Sequence, residues 1–218
     1  MAQMHCNFFS YSLGYPVDIE VTLPSFTSCN LHLPHTHALP GKFPVLYLLH
    51  GHGNDYQTWL RYTSAERYAE EYRMAVVTFS CHNKAYQNAP LGENFYDFLN
   101  EELPEFVENY FPVSDKSEER YIAGLSMGGY GALLHGLTNP GKYRAIGAFS
   151  PGIPAENADP DLNRIARFNL FDVTCKALAS GEKLPDLFMC IGDGDFLYER
   201  VTSYRKAFLD GWTASRCR

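Results

Sequence analysis

Apolar residues along this chain gather into short dense blocks, and between the blocks they recur at helical spacing. Residues 43–49, FPVLYLL, form the first full block, too short for a helix and closed off by Gly41 and Gly51. It reads as a fully buried central strand. Ahead of it, residues 8–13 and 17–23 have β character, with Gly14, Tyr15 and Pro16 as the turn between them. Behind it, residues 58–72 place Leu60, Ala65, Tyr68 and Ala69 on one helical face. The alternation then repeats. Ala75–Phe79 predicts a strand and residues 95–110 a helix, which Pro104 should kink or split. Residues 121–125 predict a strand that runs straight into Ser126, and residues 128–137 the helix behind it, stopped by Asn139, Pro140 and Gly141. Further strands are expected at Ala145–Phe149 and 187–191, and a helix at 197–209. The polar stretch from 152 to 185 has room for two short helices, near 162–166 and 171–178. Strands alternating with helices predict an α/β fold, a mostly parallel central sheet with helices on both faces.

Composition narrows the class. A chain of 218 residues suits one sizeable domain and is short for two. Its formal charge of −7, with no Lys/Arg run longer than two residues, argues against a nucleic-acid or acidic-membrane partner. The N-terminal MAQMHCNFFSYSLGYP lacks the basic-then-apolar layout of a signal peptide, and no stretch approaches the ~18 apolar residues of a membrane span. Cys6, Cys29, Cys81, Cys175, Cys190 and Cys217 show no C-x-x-C spacing and read as buried or free thiols. These features predict a cytoplasmic protein.

Candidate chemistry sits in residues 123–131, AGLSMGGYG, where Gly124, Ser126 and Gly128 fit G-x-S-x-G. At a tight strand-to-helix turn such a serine is held in strained φ/ψ, with Oγ pushed out at the C-terminal edge of the sheet. Side chains at the two flanking glycines would collide with adjacent backbone. The place between a strand and a helix separates this stretch from a plain glycine-rich turn. Acyl chemistry also needs two N–H donors for an oxyanion. The first buried strand ends in LHGHGN, residues 49–54, where glycines permit close backbone approach, so the amides of His52 and Met127 are the candidate pair. A simple turn is the alternative there. The strand at 187–191 delivers Asp193 and Asp195 at the same edge. Asp195 is the preferred acid, although either carboxylate could instead form the turn or cap the next helix.

Taken together, GLSMGGYGAL, LYLLHGHG followed by TWLRYTSAERYA, FLNEELPEFVENYFP and GDGDFLYE resemble the esterase D-like carboxylesterases. The nearest types are bacterial tributyrin esterases and acetyl-xylan or feruloyl esterases, with S-formylglutathione hydrolase more distant. The resemblance runs from Cys6 to Gly211. It implies an α/β-hydrolase fold without a large lid domain, and serine-dependent cleavage of short acyl esters (acetyl to butyryl) or aryl esters. It also implies Ser126 as nucleophile, Asp195 as triad acid and the His52 and Met127 amides as oxyanion hole. No cofactor is implied, since serine acyl chemistry needs none. The implied partner is a small-molecule ester, an acylated carbohydrate among the candidates.

The same resemblance implies a further strand, a glycine-rich loop bearing the catalytic histidine, and a final helix after residues 196–211. Here only WTASRCR follows, residues 212–218, with neither alternation nor a histidine. The expectation is one α/β-hydrolase domain cut short by a frameshift or premature stop, lacking the last strand and helix and ending in an unrelated tail. No triad histidine stands in its expected place. His82, in the loop after Ala75–Phe79, is on the correct edge and is the internal substitute base to test; a histidine from a second chain is another. His135 lies ~12 Å along its helix, and His50 and His52 are assigned to the oxyanion turn. His32, His35 and His37 in LHLPHTH read as a solvent loop rather than a metal site. In a serine protease, losing the histidine costs on the order of 10⁶-fold in kcat, so very low turnover is expected. Two other readings stay open: an inactive or merely binding product, and an acyltransferase or S-formylglutathione hydrolase-like thioesterase. An exposed sheet edge invites pairing with a second copy. Tyr56, Trp59, Tyr86 and Phe95 could line a pocket mouth or be ordinary core.

Overall fold

Two long strands open the chain. The computed structural model, which describes residues 1–27, 31–32, 34, 36–90, 92–154 and 168–209, pairs β1 (Ala2–Ser10) antiparallel with β2 (Tyr15–Leu23). The turn between them ends at Gly14, whose φ of 79° suits a residue without a side chain. β2 pairs antiparallel with β4 (Ala75–Phe79), and from there the sheet is parallel: β3 (Val45–Leu49) lies between β4 and β7 (Arg120–Leu125), followed by β8 (Ala145–Phe149) and β9 (Asp186–Cys190). The order is β1-β2-β4-β3-β7-β8-β9. A separate short hairpin joins β5 (Asn88–Ala89) to β6 (Gly92–Asn94).

Register aligns the strand ends that carry the chemistry. Leu49 pairs with Gly124, Leu125 with Phe149, and Phe149 with Cys190. The loops after β3, β7, β8 and β9 therefore leave from one edge.

Alternation within the strands sorts side chains onto two faces. Val45, Tyr47, Leu49, Val77, Phe79 and Ile122 join the larger core, which includes the wholly buried helix α5 (Met127–Thr138, buried through Leu137) and α6 (Leu170–Ala179). Leu46, Leu48, Val76 and Ala123 point the other way and meet Trp59 of α1 (Thr58–Tyr62) and Ala65 and Ala69 of α2 (Ala65–Glu71). Helices thus cover both faces, as the alternation of blocks predicts.

Local departures have local causes. The helix expected over 58–72 breaks at Thr63, whose hydroxyl donates to the Trp59 carbonyl and accepts from the Ala65 N–H, closing α1 and opening α2. The helix over 95–110 forms in three parts: α3 (Phe95–Asp97), a π-helical segment (Phe98–Glu102) and α4 (Leu103–Tyr110). Pro104 has no N–H for the Asn100 carbonyl, and Lys142 Nζ donates to that carbonyl instead. β1 starts earlier than the expected 8–13, and residues 11–14 form its turn. The helix expected near 162–166 and the tail at 212–218 lie outside the described residues. The last described helix is α7 (Tyr198–Leu209), and among the described residues no strand follows β9. No described helix is long and apolar enough to cross a membrane.

Candidate active site

Ser126 stands between β7 and α5 with φ 55° and ψ −114°, outside the regions a side-chain-bearing residue prefers. Such strain costs on the order of 1–3 kcal/mol and persists only where neighbours fix it. They do here. Its N–H donates to the Phe149 carbonyl at 2.9 Å, and its carbonyl accepts from Gly152 N–H at 2.8 Å and Tyr130 N–H at 2.9 Å. A Cβ on Gly128 would run into the carbonyl of Leu49, and one on Gly124 into the backbone of Gly128, so both glycines are required by close approach.

The loop after β3 lies against the serine: a Cβ on Gly51 would be 3.7 Å from that of Ser126. His50 fastens this loop. Its Nε2 accepts from the Cys81 N–H at 3.0 Å, which leaves the proton on Nδ1 to donate to the Gly51 carbonyl at 2.7 Å. Burial also pushes the imidazole below its ordinary pKa, so the neutral ring is the stable form. Tyr86 Oη donates to the His50 carbonyl, Trp59 Nε1 to the Leu49 carbonyl, and Gly53 N–H to Asn83 Oδ1. His50 belongs to the turn, as its place beside Gly51 predicts; the cross-link its ring makes to the Cys81 loop has no local signal in the sequence.

A cleft of about 190 Å³ opens over Ser126, and its walls include His52, Met127, Tyr130, Phe196 and Arg200. Three of the predicted site residues, His52, Ser126 and Met127, therefore come together. Met127 is the first residue of α5, where an N–H has no acceptor within the helix and the dipole favours negative charge. Asp195 lies in the loop after β9, next to the cleft residues Phe196 and Leu197. Its Oδ1 accepts from Leu197 N–H at 2.9 Å and its carbonyl from Tyr198 N–H at 2.9 Å, so it also shapes the start of α7. Asp193 is exposed.

The histidines are scattered. His82 is exposed, with its ring 6.3 Å from that of Phe95, and is not among the cleft walls. His135 is buried on α5 and bonded through Nε2 to the Tyr86 carbonyl at 2.8 Å. His35, the middle of the LHLPHTH group, lies outside the described residues. Among the described residues no histidine hydrogen-bonds Ser126. Of the aromatics that could line the mouth or be ordinary core, Tyr86 and Phe95 are core and Trp59 packs on the opposite sheet face. The rings in the cleft are Tyr130 and Phe196, the latter 90% exposed.

Residues 22–170 match the model of the family described as Esterase. The chain belongs to the Esterase family. An acetyl esterase of Caldicellulosiruptor saccharolyticus is 29% identical to this esterase, over 91% of this chain and 83% of the relative. The fluorophosphonate-binding serine hydrolase F of Staphylococcus aureus superposes with a TM-score of 0.83 at 29% identity, over 96% of this chain and 86% of that one. The S-formylglutathione hydrolase of the same organism gives 0.81 at 29% identity and the same coverage. This esterase has the α/β-hydrolase fold and is a hydrolase of the esterase type.

Proposed function

We propose that this esterase cleaves short acyl or aryl esters through an acyl-enzyme on Ser126. The observation that carries the reading is the strained Ser126 at the end of β7, sharing one cleft with His52 and with Met127 at the α5 N-terminus. Ser126 Oγ attacks the ester carbonyl carbon, and the developing oxyanion is held by the His52 and Met127 amides. The C–O bond to the alcohol then breaks and the alcohol leaves with a proton. Water attacks the acyl-enzyme and releases the acid. Asp195 is the acid of the relay, at the strand end beside the cleft. Because no described histidine meets Ser126, the proton passes to solvent and turnover is very low; His82, outside the cleft walls, is the one substitute base to test. The acetyl esterase relative and the small cleft favour short acyl groups, and exposed Phe196 offers a face to an aryl acid. A thioester is the second reading, favoured by the likeness to the S. aureus S-formylglutathione hydrolase.

The test is p-nitrophenyl acetate hydrolysis by the wild-type chain beside Ser126→Ala, with intact mass reporting the acetyl adduct. Slow p-nitrophenolate release and an adduct, both absent in Ser126→Ala, are expected; His82→Ala then shows whether that ring is the base. Identical traces for wild type and Ser126→Ala would sink the reading.

A further inference from the structure

We propose that Arg200 forms an anion subsite in the Ser126 cleft, so that this esterase favours esters bearing a carboxylate over their neutral counterparts. The inference deepens the Ser126 reading and rests on it for the reaction, though not for the binding. Arg200 stands in the first turn of α7 and lines the same cleft as Ser126 and Met127. Five described arginines are engaged: Arg61 lies over the Tyr62 ring, Arg67 beside Glu71 and Tyr68, Arg73 beside Glu70, Arg120 against Glu108 and Arg144 against Asp186; Arg205 of α7 is exposed and does not line the cleft. Among the described residues Arg200 has no hydrogen bond, ion pair or ring contact.

Its position is also electrostatically unfavourable without a partner. The first turn of a helix carries the positive end of the dipole and favours anions. Among the described residues no carboxylate side chain lines the cleft. The nearest in sequence are Glu199 and Asp195, and one Asp195 oxygen already accepts from Leu197 N–H. The N-terminus of α5 opens onto the same space, adding a second positive dipole end. On a chain of net charge −7 this is a directed positive spot beside the nucleophile. A guanidinium takes a carboxylate in bidentate fashion. In hydrolysis that carboxylate is a spectator: the ester C–O bond breaks, the acyl–Oγ bond forms and is then hydrolysed, and the charge on Arg200 is unchanged. The carboxylate could lie on the acyl side, as in a dicarboxylate half-ester, or on the alcohol side.

Calorimetric titration of the Ser126→Ala protein, which cannot be acylated, tests the binding with two charged-and-neutral pairs. Monomethyl and dimethyl glutarate report the acyl side; 4-acetoxybenzoate and its methyl ester report the alcohol side. For an exposed cation, the charged member of at least one pair should bind about fivefold tighter. That advantage should vanish when Arg200→Ala is added, return in part with Arg200→Lys, and shrink as salt is raised. Equal affinities within both pairs, including binding too weak to measure for all four esters, overturn the proposal. So does an advantage that survives Arg200→Ala. Failure of Ser126-dependent hydrolysis would instead strike the acyl-enzyme reading and leave this binding result standing.

Discussion

His135 is a titratable group placed where its charge cannot be solvated. It is fully buried on α5, donates through Nε2 to the Tyr86 carbonyl and has no partner at Nδ1. Burial, the leading cause, lowers its pKa from 6.5 to about 4. Above pH 6.5 the ring is neutral in both folded and unfolded chains and contributes no pH dependence. Below 6.5 the unfolded chain takes up a proton that the native ring refuses, so stability falls, on the order of 3 kcal/mol in all, until the native ring also protonates near pH 4. Urea midpoints measured from pH 7 to 4 should fall less steeply for His135→Gln than for wild type. Parallel curves would count against the assignment. The same scale shows why part of the site was legible in the sequence and part was not. Ser126, Gly124 and Gly128 form a constraint of five adjacent residues, so the string itself carries it. Arg200 reads as one more polar residue on a helix, and only the packing of α7 against α6, through Tyr204 on Thr174 and Phe171, brings it to the cleft.

Elements were legible where burial alone dictates them. Ala75–Phe79 and Ala145–Phe149 form at the expected residues: the first is buried along its whole length inside the sheet, and the second alternates buried with half-buried positions, so both read as dense apolar runs. The β5–β6 hairpin has no such run and left no signal in the pattern. The split at Thr63 depends on which acceptor a hydroxyl finds, which periodicity does not encode. Pro104 announced a disturbance, and the carbonyl it leaves without an N–H is met by a residue distant in sequence, Lys142, whose ammonium donates to Asn100 O. A double-mutant cycle isolates this link. Lys142→Met should lower unfolding stability by about 1–2 kcal/mol, because it leaves that carbonyl unpaired in partly buried surroundings. In a Pro104→Ala background, where an N–H is available at position 104, the same change should cost measurably less. Equal losses in the two backgrounds would mean that Lys142 acts elsewhere.

At the scale of the whole molecule the sheet is unevenly protected. Its α5 face is covered from β3 to β8, whereas α1 and α2 leave an apolar groove of about 380 Å³ walled by Leu48, Trp59, Tyr68 and Phe149 among others. From that groove the apolar surface continues across Phe149 to Phe188 of β9, whose rings are 6.1 Å apart, and Phe188 is 59% exposed. β9 ends the strand order, and among the described residues nothing pairs with its free side. An unpaired edge beside exposed apolar surface is a template for another strand. We propose that the strand comes from a second copy of the chain. A two-fold axis would pair β9 antiparallel with its counterpart, and Phe188, the middle of the five residues Asp186–Cys190, would then meet the same residue across the axis. Both apolar patches would be extended into one covered surface. Light scattering on a sizing column should show mass rising toward the dimer with concentration, and Phe188→Lys should hold the chain as a monomer by placing like charges at the axis. A single monomer mass at high concentration in the wild type would remove the proposal, because a free hydrophobic edge that does not associate would have to be covered within the chain itself.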